Sequence, residues 1–202
     1  MNCRSRALVL ASLTAALLLP AAASAQFVEP LAPGKLLVAS EDLLDSNFSR
    51  TVVLLLHYDE SGAMGVVLNR PSRVRLEHFL PDLEWASRAN EPVHVGGPVA
   101  VLQVRMLFST GERHADQVRV IGTVHAGWDL TLLEQMVTEP DPDDRFRVYA
   151  GHAGWAAGQL DAEVRQMGWY IFPASEAVIF TDGEEELWEL FISRTKTRVA
   201  RR

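Results

Sequence analysis

Three junctions in the sequence carry the polar and glycine residues from which a ligand site could be built. Asn69-Arg70-Pro71 closes one strand-like run, and Gly96-Gly97-Pro98 follows another. Gly151-His-Ala-Gly154-Trp155 leads through Gly158-Gln159-Leu160 into a helix-like run. Arg70 offers a charge and a planar fork of donors, the pattern suited to a carboxylate or phosphate. Backbone N–H groups at Gly96 and Gly97 could form an anion-holding nest, because glycine permits close approach of backbone to ligand. Asn69 and Gln159 would add neutral hydrogen bonds, and Trp155 an apolar wall. The expected ligand is a small anionic or polar group. The competing expectation is that Arg70 pairs internally with a carboxylate and the glycines only turn the chain.

Familiar reaction motifs are missing from the sequence. There is no Gly-x-Ser-x-Gly elbow for a serine nucleophile. The histidines at 57, 78, 94, 114, 125 and 152 include no i, i+4 pair with a glutamate beside the first, so spacing predicts no zinc hydrolase. No Gly-x-x-x-x-Gly-Lys-Ser/Thr loop and no Gly-x-Gly-x-x-Gly is found, and no cofactor is predicted. Glu139-Pro-Asp-Pro-Asp-Asp144 lacks the order of a calcium loop and reads as a solvated turn. A hydrolase site could still be assembled from histidines and carboxylates distant in sequence.

The elements that must position these residues are legible from apolar patterning. Strands are expected at Lys35–Ala39, Thr51–Tyr58, Ala63–Asn69, Val93–Val95, Leu102–Phe108, Gln117–Gly122, Arg145–Gly151 and Trp169–Pro173. Asp59-Glu-Ser-Gly62 joins the second and third as a hairpin, and the unbroken apolar run Leu54–Leu56 places that hairpin at the centre of the core. Helices are expected at Leu76–Leu80, after an N-cap at Asp129, and from Gly158, where Asp161 and Arg165 form an i, i+4 pair. The last helix opens on the capping box Asp182-x-x-Glu185 and turns Leu187, Leu190 and Phe191 inward. His-Ala-Gly-Trp occurs at His125–Trp128 and His152–Trp155, each time at an expected strand-to-helix turn with its Trp packed on the new helix. Strands and helices mix without a βαβ rhythm, which predicts an α+β fold with a mixed or antiparallel sheet.

The N-terminus has basic residues Arg4 and Arg6, a 13-residue apolar run Ala7–Leu19, and Ala23-Ser24-Ala25. That is the layout of a secretory signal, and the run is shorter than a spanning helix. Cleavage after Ala25 would leave one domain, Gln26–Arg202, with no transmembrane anchor and without Cys3, the single cysteine. The formal charge would move from −7 to −9, which disfavours nucleic acid as a partner. The basic tail Arg194–Arg202 is expected to be solvated or to meet an anionic surface.

Read together, Gly34–Ser40, Asn47–Val53, Gly62–Pro71, Pro92–Val99, Gly154-Trp155 with Gly158-Gln159-Leu160 and Glu163, and Trp169–Ala174 resemble the AlgH/YqgE family of bacterial proteins. The resemblance implies an α+β fold in which a partly barrel-like sheet is surrounded by helices. It also implies a cytoplasmic location, and one member is linked to regulation of alginate synthesis. The family carries a histidine where this chain reads Met106-Leu-Phe-Ser109, often a tyrosine at the place of His152, and Glu-His at the place of His57-Tyr58. Roles tied to those positions do not transfer. With its leader and acidic balance, the chain is expected to be a non-enzymatic binding or accessory domain of the bacterial envelope, periplasmic or secreted. Its partner would be a small ligand or another protein. A cytoplasmic regulator is the alternative if the leader is not a signal.

Overall fold

The computed structural model describes residues 29–110 and 117–199 of the 202. The expected leader, His114 and the end of the basic tail lie outside them. Among the described residues ten strands are present: β1 (Lys35–Ala39), β2 (Val52–Asp59), β3 (Gly62–Val67), β4 (Pro71–Arg75), β5 (Pro92–Val95), β6 (Val99–Ser109), β7 (Val118–Ile121), β8 (Val124–Gly127), β9 (Arg145–Ala156) and β10 (Trp169–Pro173). The α-helices are α1 (Leu130–Thr138), α2 (Gln159–Arg165), α3 (Glu176–Ile179) and α4 (Leu187–Val199), with 3-10 turns at Leu76–His78, Glu84–Arg88 and Glu184–Glu186.

The strands form one sheet in the order β10-β1-β2-β3-β9-β6-β8-β7, which is not closed into a barrel, and β4 and β5 join it through β9. Among the described residues only the β5–β9 pair is parallel; the α+β class holds. β2 is central as its apolar run predicts, and Leu54, Leu55 and Leu56 are all buried. One apolar core packs β1, β2, β3, β10 and the end of β9 beneath α2, α3 and α4. A second lies between β6, the start of β9, α1 and the 76–89 segment.

β9 belongs to both halves. Its first part pairs with β6 on one side and, at Tyr149 and Ala150, with β5 on the other; its last part, from Ala153, pairs with β3. The chain therefore crosses from one edge of β9 to the other between β5 and β6. It does so at Gly96-Gly97, directly against Gly151-His152. A Cβ on Gly97 would stand 2.2 Å from the His152 carbonyl carbon, and one on Gly151 would stand 2.4 Å from the Gly97 oxygen. Only glycine lets two backbones pass this closely.

Several expectations are corrected. Leu76–Leu80 makes a 3-10 turn, and β4, β8 and α3 went unrecognised. Both His-Ala-Gly-Trp copies lie in strands rather than turns: His125–Gly127 is in β8 and His152–Trp155 in β9. Trp128 is 70% exposed, so it does not pack on the following helix. Asp161 accepts a hydrogen bond from the Tyr58 hydroxyl (2.8 Å) and makes no ion pair with Arg165. At the last helix a 3-10 turn capped by Gly183, without a side-chain cap, replaces the Asp182 capping box, and Leu190 faces solvent.

Candidate functional site

The loop 45–51, between β1 and β2, links the expected site residues. Asn69 stands at the end of β3, where its Oδ1 accepts from the Val52 N–H (2.8 Å) and its Nδ2 donates to the Arg50 carbonyl (2.9 Å). Both ends of the amide are thus engaged in holding the loop to the start of β2. The loop turns with Arg50 at φ 57°, and the Arg50 guanidinium lies 4.2 Å over the Trp188 ring and bonds Glu189. Arg70 follows Asn69, and its carbonyl accepts from the Val95 N–H (2.9 Å), two residues before Gly97. Its guanidinium makes one long bond, 3.4 Å, to the Ser49 carbonyl. Partial burial disfavours its charge and Asp45 opposes that effect.

On the other side of the loop, Phe48 stacks on Trp155 with ring centroids 5.8 Å apart and meets the edge of Trp169 at 5.7 Å. Both indole N–H groups donate to Glu163 Oε2, at 3.0 and 2.8 Å. Gln159 donates to Glu163 Oε1 (2.9 Å) while its Oε1 accepts from the Ala156 N–H (3.1 Å), fastening the first turn of α2 to the end of β9. Glu163 therefore organises this corner. Its place four residues after Gln159, on one face of α2, was the available signal.

The structure brings Asn69 and Arg70 to one side of the loop and Trp155 and Gln159 to the other. The apolar contact expected of Trp155 is made by Phe48, which leaves the indole 5% exposed. The Gly96 N–H donates to the Ala150 carbonyl (2.8 Å) and its carbonyl accepts from Val67 (2.9 Å). The Gly96 donor expected in an anion-holding nest thus belongs to the ladder, and Gly97 stands where the chain crosses β9.

A buried polar group escaped the sequence reading. His94 of β5 is opposite Tyr149 of β9, with ring centroids 5.3 Å apart. His94 Nε2 meets Glu184 Oε1 at 3.3 Å, and Arg147 Nη2 meets Glu184 Oε2 at 3.4 Å. Arg147 also donates to the carbonyls of Ile179 (3.1 Å) and Thr181, and so ties the chain after α3 to β9. Burial lowers the His94 pKa, partly offset by Glu184, and raises that of the Tyr149 hydroxyl. His94, Arg147 and Tyr149 sit inside runs read as plain strand, and Glu184 lies within the expected capping box of the last helix, so nothing local marked their partnership. Among the described residues, no three of His, Cys, Asp or Glu are grouped as metal ligands. A cavity of about 280 Å³ lined by Gln117, Val118, Ala126, Gly127, Trp128 and Asp129 shares no residue with the junctions.

The AlgH-like family model (DUF179) matches residues 36–200. A UPF0301 protein of Chlorobium limicola is 37% identical over 161 residues, covering 79% of this chain and 84% of the relative. UPF0301 protein SCO2948 of Streptomyces coelicolor is 38% identical over 175 residues, covering 83% and 88%. Among solved structures, the AlgH protein from Pseudomonas aeruginosa superposes with a TM-score of 0.68 at 28% identity, covering 83% of this chain and 93% of that one. Protein DIP2367 from Corynebacterium diphtheriae gives 0.70 at 26%, covering 82% and 88%. The motifs around the 45–51 loop and the sheet order they build thus have one source: the chain belongs to the AlgH-like family.

Proposed function

We propose that this chain is a binding domain rather than a catalyst, that it acts in the bacterial envelope, and that it takes a small anionic or polar group at the strand-end junctions beside the 45–51 loop. The observation that carries this reading is Arg70. Its side chain is part-buried and held near the loop, yet one long bond to Ser49 leaves most of its donor fork unused. Asn69, Gln159 and the Gly96 N–H are engaged internally, so in this reading they set the shape of the site and Arg70 supplies recognition. The envelope location rests on the three-zone leader.

Inorganic phosphate titrated into labelled protein provides the test, read at the backbone amides of Ser49 and Arg50. Saturable shifts are expected, weakened at least about tenfold in Arg70→Ala, with unfolding free energy changed by less than about 0.5 kcal/mol. Equal loss of binding and stability would make Arg70 a structural residue and remove the reading.

A further inference from the structure

The strand register sets His94 of β5, Tyr149 of β9 and Arg105 of β6 side by side in one row across the sheet. Glu184, the carboxylate that reaches this row, is engaged by His94 and Arg147 at one end. Arg105 stands at the other end, beyond Tyr149. It is half-buried, its Nε is shielded from water, and it makes no hydrogen bond or ion pair among the described residues. His152 Nδ1 is likewise shielded and without a hydrogen bond.

The β6–β9 ladder is interrupted between the positions of these two side chains. β6 is opposite β9 at Val99, facing His152, and again from Val104, facing Ala150, so residues 100–103 bulge off that ladder. Within the bulge Ala100 takes φ 49°, a left-handed conformation that costs a residue with a Cβ. Burial lowers the His152 pKa, and the Arg105 charge lowers it further. A partly desolvated guanidinium with no acceptor is unfavourable, and the partner that relieves it best is a pair of oxygens matched to its planar fork.

We propose that the β6 bulge is an oxyanion site, taking a carboxylate or phosphate group on Arg105 with His152 as the second donor. Val99, Val101 and Leu102 are exposed beside it and would meet the apolar body carrying that group. The site is separate from Arg70. Pro71, the residue after Arg70, begins the same transverse row, and three strand spacings, about 14 Å, lie between it and Arg105.

The test is an NMR titration of the full-length protein with inorganic phosphate and, separately, acetate, at constant ionic strength set with chloride. The Arg105 Nε–H and His152 ring signals are the readout. Saturable movement with either anion is expected, and the anion that saturates identifies the group as phosphate or carboxylate. In Arg105→Gln the His152 response should weaken at least about tenfold, Arg105→Lys should retain part of it, and Arg70→Ala should leave it unchanged. Unsaturated drift with both anions, or an undiminished His152 response in Arg105→Gln, overturns the proposal. Should Arg105→Gln fail to fold, the wild-type titration decides alone.

Discussion

His94 shows what burial does to one titratable group. The imidazole is 2% exposed, and burial lowers its pKa more than Glu184 restores it. In the unfolded chain the same ring titrates near its ordinary value of about 6.5. Above that pH both states are neutral and the stability is fully present. As pH falls below about 6.5, the unfolded chain binds a proton that the folded chain refuses, so stability declines until pH reaches the lower folded value. His152 is lowered for similar reasons and contributes to the same window. Urea unfolding across this range should therefore show a steeper decline for the wild type than for His94→Gln; identical slopes would assign the linkage elsewhere. At this scale the sequence was a partial guide. Asn69, Arg70, Trp155 and Gln159 stand in polar, glycine-rich junctions at strand ends, which marked them as candidates. Arg147, Tyr149 and Glu184 were not so marked, because their partnership depends on residues more than thirty positions apart.

Elements with a strong local pattern were readable, and elements made by tertiary contact were not. β2 and β3 follow from an apolar run and a turn, and α1 from a cap that forms as expected, with Asp129 accepting from the Thr131 and Leu132 N–H groups. β4 and β8 are short and sparsely apolar, and they exist because β5, β6 and β7 offer them ladders. The continuation of β9 past Gly151 was hidden because its glycines read as punctuation, although their service is to let the β5–β6 segment cross. Gly97→Ala should consequently cost at least about 3 kcal/mol, from a Cβ driven into the His152 backbone. Gly158→Ala is the control: it shares a positive φ, 70°, but its Cβ would meet nothing within 4 Å, so only the left-handed penalty of about 1–2 kcal/mol applies. Equal costs in chemical denaturation would refute the steric account of the crossing.

For the molecule as a whole, the family and the α+β class were both legible, because motifs in a fixed order along most of the chain constrain a fold more than any single element does. Location is a separate matter that the leader alone addresses. Expression in a Gram-negative host followed by intact mass analysis should find a mature chain beginning at Gln26, in the periplasmic fraction; an uncleaved leader on cytoplasmic protein would return the alternative of a regulator. The double membership of β9 has a consequence for how the chain reaches its fold. β3, β5 and β6 are all synthesised before residue 110, yet the strand on which each of them pairs comes at 145–156. During synthesis the early strands wait with unsatisfied edges, neither half can complete its hydrogen bonding first, and contacts of such long sequence separation close slowly. The two halves should then lock together in a single late step, leaving the nascent chain open to chaperones or a translocation channel for most of its time on the ribosome.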